Sequence, residues 1–268
     1  MAIYQDQTGK IITLPSAPAR IISLVPSQTE LLYDLGLDKK VIGITKFCVH
    51  PEEWFRNKTR IGGTKSIDLE QVKALQPDLI IANKEENVKE QVDELAALYP
   101  VWTSDISNLQ QALQMIEATG EITGTGAKAQ AMIALINNRF DQLSVQQPGI
   151  RTAYLIWQNP YMTIGGDTFI HDMLSRCGFE NIFKEQQRYP CISIEDIKSS
   201  NCQLLLLSSE PFPFKQNHVE ELQKQLPLTK IMLADGEMFS WYGSRLLLAP
   251  AYFRSLIEMS DVTEMSDV

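Results

Sequence analysis

Four aromatic residues and two cations stand where a folded α/β chain could grip a ligand. The apolar run Thr152–Trp157 reads as a strand. Trp157 therefore falls at the strand end, the edge where open α/β sheets take ligands, and Tyr161 follows in the next turn. Trp241 and Tyr242 lie in a Ser-Trp-Tyr-Gly-Ser loop ahead of a helix. An aromatic beside glycine in a loop is expected to be more exposed than one on a helical stripe. Such faces either hold flat or bulky organic groups or pack a core, and the residue types allow both. Trp54 and Trp102 are assigned to packing. Lys65 lies in the Gly62-Gly63-Thr64-Lys65 loop leading into a helix N-terminus, a place suited to an anionic or carboxamide-bearing group. Arg245 opens the last helix beside the aromatic loop, and a solvated surface charge is the alternative for either cation.

Two glutamates form a second set. Glu70 and Glu195 each follow a cap residue, Asp68 or Ser193, by two positions, and they are 125 residues apart. A carboxylate in the first turn of a helix is favoured by the dipole alone, so either residue by itself needs no further role. Other chemistry finds less support. His50, His171 and His218 are scattered without i, i+4 spacing, so no metal site is expected. No G-x-S-x-G elbow occurs, and no cysteine has a histidine beside it in sequence, so no catalytic residue is assigned. Gly124-Thr125-Gly126-Ala127-Lys128-Ala129 fits G-x-G-x-x-A, but a helix precedes it where the dinucleotide fingerprint needs a strand. Its glycines read as a helix break.

The elements that must position these residues follow from a repeat. SIDLEQVKALQPDLIIAN, from Ser66, and SIEDIKSSNCQLLLLS, from Ser193, share cap, apolar, Glu, apolar, Lys and buried strand, with Leu79 and Leu204 again 125 apart. Two similar α/β lobes follow, each with a parallel sheet flanked by helices. In the first, residues 4–14 read as a hairpin, Ile21–Leu24 as a strand, and Ser27–Leu35 as a helix with a Ser27/Glu30 capping box. Strands at Val41–Thr45 and Val101–Trp102 and a helix at Val88–Leu98 complete it. Asn108–Thr119 reads as a helix. A longer one, Thr125–Val145, carries the stripe Ala129, Ile133, Ile136, Phe140, Leu143. At 1.5 Å per residue it would span roughly 30 Å and join the lobes. The expected division is an N-terminal α/β lobe over 1–122, a linking helix over 123–147 and a C-terminal α/β lobe over 148–268. The second lobe takes helices at Thr168–Cys177 and Val219–Gln225, a strand at Lys230–Leu233 and a closing helix from about Ser244; the tail repeats EMSDV.

Composition narrows the class. A net charge of −9 argues against a nucleic-acid surface and gives no support for an anionic membrane partner. No run is long and apolar enough to span a bilayer, and MAIYQDQTGK has neither a basic n-region nor an apolar h-region, so no signal peptide is expected in it. Cys48, Cys177, Cys191 and Cys202 show no CxxC spacing and read as mostly buried thiols.

RIISLVPSQTELLYDLG, IGGTKSIDLEQVKALQPDLIIA, the NP and ENIF segments and DGEMFSWYGSRLL resemble the helical-backbone (class III) substrate-binding proteins of ABC importers. The resemblance covers about residues 1–257 and is nearest the cobalamin-binding branch, although the loop Gly62–Lys65 lacks the aromatic usual there. It implies two α/β lobes joined by one long helix, no catalysis and no cofactor. It also implies a bulky ligand (cobalamin, haem or a ferric siderophore) held between the lobes, where the residues read above as ligand-binding are Lys65, Trp157, Tyr161, Trp241, Tyr242 and Arg245. It further implies an extracytoplasmic monomer whose Glu70 and Glu195 dock onto the transmembrane permease. An enzyme using the same cleft, or a cytosolic metallophore-handling protein, is the alternative.

Overall fold

The computed structural model describes residues 1–143 and 149–260. They form two compact units. Met1–Ile106, Gln110–Ile136 and Trp241–Arg245 make unit one; Ser107–Leu109, Asn137–Ser240 and the described chain from Leu246 on make unit two. Against the expected division at 122 and 147, the change of unit falls within one helix, at Ile136/Asn137, and five residues late in the chain pack with unit one.

Unit one opens on an antiparallel hairpin, β1 (Ala2–Gln5) and β2 (Ile11–Leu14). Its turn is closed by Asp6, whose Oδ1 accepts from Thr8 N and Lys10 N. Then come β3 (Ile21–Ser23), α1 (Pro26–Asp34), β4 (Val41–Ile44), α2 (Glu52–Asn57), β5 (Thr59–Arg60), β6 (Gly62–Gly63), β7 (Ser66–Ile67), α3 (Leu69–Leu75), β8 (Leu79–Asn83), α4 (Lys89–Ala96) and β9 (Val101–Ser104). Five strands form a parallel sheet in the order β5-β4-β3-β8-β9. Its centre is the apolar pair β3 and β8, buried throughout, as strands covered on both faces must be. Ile22, Leu24, Val72, Ile80, Leu95 and Val101 join sheet to helices in one core.

The helices α5 (Leu109–Thr123) and α6 (Gly126–Asp141) follow. Thus α5 runs four residues past its expected end at Thr119, and α6 stops at Asp141; Val145 lies outside the described residues. Gly120 does not break α5 because it serves packing. A Cβ there would lie 2.4 Å from the Cβ of Ala129 on α6. Glycine normally costs about 1 kcal/mol in a helix, so Gly120→Ala would gain on propensity. The clash outweighs this: overpacking a tight contact costs about 1–3 kcal/mol. Chemical denaturation of Gly120→Ala is expected to show a net loss of up to about 2 kcal/mol, and a gain would disprove the close approach.

Unit two contains β10 (Ile150–Leu155), α7 (Phe169–Arg176), β11 (Phe179–Asn181), α8 (Ile194–Ser199), β12 (Leu204–Ser208), α9 (Gln216–Gln225), β13 (Lys230–Ala234), α10 (Gly236–Ser240) and, after a 3-10 turn at Ser244–Leu247, α11 (Ala249–Met259). Its sheet is parallel with order β11-β10-β12-β13. The run Leu204–Ser208 is buried throughout, and Ala153, Leu155, Ile197, Leu205, Leu207 and Leu222 share its core. The ENIF segment supplies part of β11, a strand its short length hides in the sequence.

The repeat holds to the level of single hydrogen bonds. Asp68 caps α3 by accepting from Gln71 N at 3.0 Å; Ser193 caps α8 in a capping box with Asp196. Each helix ends before a left-handed residue, Gln76 (φ 45°) and Asn201 (φ 50°). Each end is held by an arginine: Arg20 donates to the carbonyls of Leu75 and Gln76, Arg151 to that of Ser200. Arg20 N donates to Asp78 and Arg151 N to Gln203, both side-chain acceptors one residue before their strands.

The start of α1 differs from expectation. Val25 is the cap residue and makes no side-chain cap bond; Pro26 is the first helical residue and Ser27 lies inside the turn. Proline's fixed φ sets the start one residue early. Glu30 is drawn away from the helix end to Arg245.

Candidate functional site

In a parallel sheet every strand points its carboxyl end to the same edge, and the loops leaving it form the surface where such folds hold ligands. Each unit has one such edge.

In unit two, Trp157 lies just beyond β10 in a turn closed by the Trp157–Met162 bridge. It remains 40% exposed, with Phe212 edge-on at 5.8 Å. Phe212 in turn meets Phe214 at 4.7 Å, and His218 packs 5.5 Å from both. Tyr161 packs on the core of this unit, its carbonyl accepting from Ile192 N at 2.9 Å. Cys191, bridged to Met162, is the exposed cysteine; Cys48, Cys177 and Cys202 are buried, and all four are free thiols. Burial pushes Cys202 up to about 11 and raises Cys48 and Cys177 as well, so these three thiols stay protonated at neutral pH.

The aromatic row ends at a cavity of about 500 Å³ lined by Ser209, Glu210, Phe214, Leu233, Ala234, Asp235 and Glu237. Its rim is held by short polar contacts. Ser240 Oγ donates to Glu210 at 2.6 Å, Gly236 N to Ser209 Oγ at 2.9 Å, and Asp235 N to Tyr252 Oη at 2.8 Å. Its lining joins an aromatic and two aliphatic residues, Phe214, Leu233 and Ala234, with three carboxylates, Glu210, Asp235 and Glu237. That combination suits a large ligand with an apolar face and polar substituents.

In unit one, Phe47 follows β4 and is 51% exposed. It packs over the Gly62–Gly63 strand, where a Cβ on Gly63 would come within 3.0 Å of its ring, and Lys46 Nζ lies 5.2 Å from its centroid. No sequence pattern marks Phe47, which sits in the aperiodic run TKFCVH. The Gly62–Lys65 loop thus has an aromatic lying on it although it carries none. Lys65 is exposed, as expected, and its ammonium donates to the Glu85 carbonyl. Burial raises the Glu86 carboxyl above its usual value, and Lys65 beside it draws it part of the way back.

Trp241, Tyr242 and Arg245 stand elsewhere than the loop reading places them: all three are buried in unit one. Arg245 makes a two-pronged ion pair with Glu30, Nε to Oε2 at 2.9 Å and Nη2 to Oε1 at 2.6 Å. Its guanidinium stacks 4.8 Å over Trp241, whose ring meets His50 edge-on at 5.6 Å. The expected exposure fails because Gly243 lets this stretch lie against α1, where a Cβ on Gly243 would come within 2.8 Å of the Ser27 carbonyl.

Glu70 and Glu195 have matching surroundings. Their side chains are 85% and 78% exposed, and each pairs three residues on with a lysine, Lys73 at 3.0 Å and Lys198 at 2.7 Å. Among the described residues no group of three or more His, Cys, Asp and Glu side chains is placed to hold a metal ion, and no helix is long and apolar enough to cross a membrane.

Comparison with known proteins places this geometry. The family described as "Periplasmic binding protein" matches residues 21–232. The chain belongs to the periplasmic binding protein family. A vitamin B12-binding protein of Yersinia pestis (strain Pestoides F) is 29% identical to this binding protein over 249 residues, 89% of this chain and 86% of the relative. Among solved structures, the vitamin B12 binding protein BtuF of Vibrio cholerae superposes with a TM-score of 0.78 at 23% identity, covering 92% of this chain and 99% of that one. The heme-binding protein RhuT from Roseiflexus sp. RS-1 gives 0.74 at 19% identity, over 89% and 98%. At these identities the structural likeness establishes the fold, α/β with parallel sheets flanked by helices in two lobes. Each of these three relatives is described as a binding protein.

Proposed function

We propose that this chain is the substrate-binding protein of an ABC importer, carrying a bulky corrinoid or ferric-siderophore-type metal chelate and doing no chemistry on it. The observation that carries the reading is the half-exposed Trp157 at the carboxyl edge of β10, leading through Phe212 and Phe214 into the 500 Å³ cavity, in a chain of this family. Trp157 and Tyr161 offer ring faces, and Glu210, Asp235 and Glu237 offer acceptors to polar substituents. On unit one, Phe47 and Lys65 are assigned contact roles, while Trp241, Tyr242 and Arg245 support the surface. Glu70 and Glu195 are assigned to docking on a transmembrane permease.

Cyanocobalamin, heme and a ferric hydroxamate, titrated in turn, separate the ligand classes by quenching of tryptophan fluorescence. One of them is expected to bind and to quench. Trp157→Ala should then lose about 10–100-fold in affinity, the usual cost of truncating a central aromatic anchor. Unchanged affinity in Trp157→Ala would move the site off this edge.

A further inference from the structure

The first turn of α1 holds an unfilled set of polar groups. The helix has nine residues, and its cap residue, Val25, offers no side-chain acceptor. The first four N–H groups of a helix need partners from outside it. Pro26 has none to give, and Thr29 N donates to Val25 O, but Ser27 N and Gln28 N donate to no acceptor among the described residues. Gln28 adds an independent sign. It is 1% exposed, and its Oε1 has no partner. The orientation of its amide is fixed by its neighbours. Ser104 Oγ gives its one proton to the Ala82 carbonyl and accepts from Asn83 Nδ2, so toward Gln28 it can only accept, and Gln28 presents Nε2. The acceptor Oε1 is left over, at a turn that also has spare donors. Ser244 Oγ is the other buried orphan. The neighbouring Gly243 lies against the Ser27 carbonyl, which brings the Ser244 backbone alongside α1 within unit one.

We propose that the first turn of α1, with Gln28 and Ser244, is a subsite for a primary carboxamide. A buried polar atom without a partner costs free energy, so a native site that keeps one has a partner to receive. The carboxamide oxygen accepts from Ser27 N and Gln28 N at the positive end of the helix. Its NH2 donates to Gln28 Oε1, and Ser244 Oγ takes whichever role remains. A carboxylate would satisfy the N–H groups but would set an oxygen against Gln28 Oε1, with no proton to share. The subsite therefore selects an amide over an acid. It rests on the proposed function, where it favours a corrinoid, rich in carboxamide side chains, over a heme, whose polar arms are carboxylates.

The test uses 15N-labelled full-length protein titrated with propionamide and, separately, with propionate at matched concentrations. Propionamide is expected to shift the Ser27 and Gln28 backbone signals and the Gln28 side-chain amide; propionate is expected to do so much less. Gln28→Met should lose the propionamide response by about tenfold in affinity, the loss of one buried hydrogen bond. Ser244→Ala, a mild change, should weaken it several-fold and guards against a Gln28 variant that fails to fold. Cyanocobalamin should bind more tightly than its monocarboxylate derivatives, with the preference reduced in Gln28→Met. Equal response to propionate, or no response at Ser27 and Gln28, overturns the subsite and leaves the substrate-binding reading standing. An intact propionamide response with no binding of any metal chelate overturns the chelate reading instead.

Discussion

Arg245→Met is expected to cost about 3 kcal/mol of stability, because it leaves a buried carboxylate alone. The side chains of Arg245 and Glu30 are only 9% and 17% exposed, so solvent screens the pair little. Their two hydrogen bonds hold Trp241–Arg245 on α1. A well-formed buried pair contributes little net stability over apolar residues of like volume, whereas breaking it costs roughly 3–5 kcal/mol. Glu30→Met/Arg245→Met should therefore be more stable than Arg245→Met alone, and urea denaturation of the double-mutant cycle measures the difference. The pH dependence supplies a second check. Burial already raises the Glu30 carboxyl above its usual value, against the lowering pull of Arg245. Without Arg245 it rises further. The native state then holds a proton that the unfolded chain has released, so stability falls as pH climbs from the ordinary carboxylate value through the raised one. The deficit of Arg245→Met should be full at neutral pH and shrink as pH drops toward about 4, the ordinary carboxylate range. A deficit independent of pH would mean that Glu30 is not the group left exposed to the loss.

What the sequence reveals, and what it hides, follows from the range of the interactions. The lobe repeat is legible because caps, helix stripes and buried strands are local patterns. Asp68 and Ser193 cap as read, and β8 and β12 lie where their apolar runs put them. The arginine clamps on the ends of α3 and α8 are not legible, since Arg20 precedes its target by 55 residues and Arg151 by 49. Glu30 escapes a local reading for the same reason. S-x-x-E is a local signature, but the partner that claims Glu30 lies 215 positions along the chain.

The candidate site divides in the same way. Trp157 is read as the end of a strand Thr152–Trp157, but β10 ends at Leu155, so Trp157 stands two residues beyond it, still at the carboxyl edge, because a strand end is a local feature legible to within a residue or two. Trp241 and Tyr242 are expected in the open because a Gly-containing loop usually is. Their burial depends on His50, Arg245 and the close approach of Gly243 to α1, and none of these is encoded within the loop. Phe47 and the orphan acceptor of Gln28 leave no trace in the sequence. An exposed aromatic in an aperiodic stretch and a missing hydrogen bond both become visible only when neighbours are in place.

Reversing both glutamates proposed for docking, Glu70→Lys with Glu195→Lys, is expected to remove most of the affinity for the proposed permease while leaving folding and ligand binding almost untouched. The two residues match in offset, in place within the first helical turn, in exposure and in their i+3 lysine. Structure alone accounts for one such carboxylate through the helix dipole, worth a few tenths of a kcal/mol to about one. The lysine pair adds almost nothing to stability at either copy, so docking is the role that the reversal tests. Charges at a rim act on association rate and orientation more than on folding. Each single reversal should weaken docking by about tenfold if it turns one favourable contact of roughly 1 kcal/mol into a repulsive one. Independent contacts would make the losses multiply in the double variant. The measurement is binding of purified protein to the permease in nanodiscs at two salt concentrations, for wild type, both singles and the double. Glu90→Lys, an exposed first-turn glutamate on α4, serves as control for net charge. The double variant should also show the opposite salt dependence, with added salt relieving the repulsion that the two lysines create. Docking that survives both reversals, or falls equally in Glu90→Lys, would reduce Glu70 and Glu195 to ordinary helix-start carboxylates preserved by the lobe repeat.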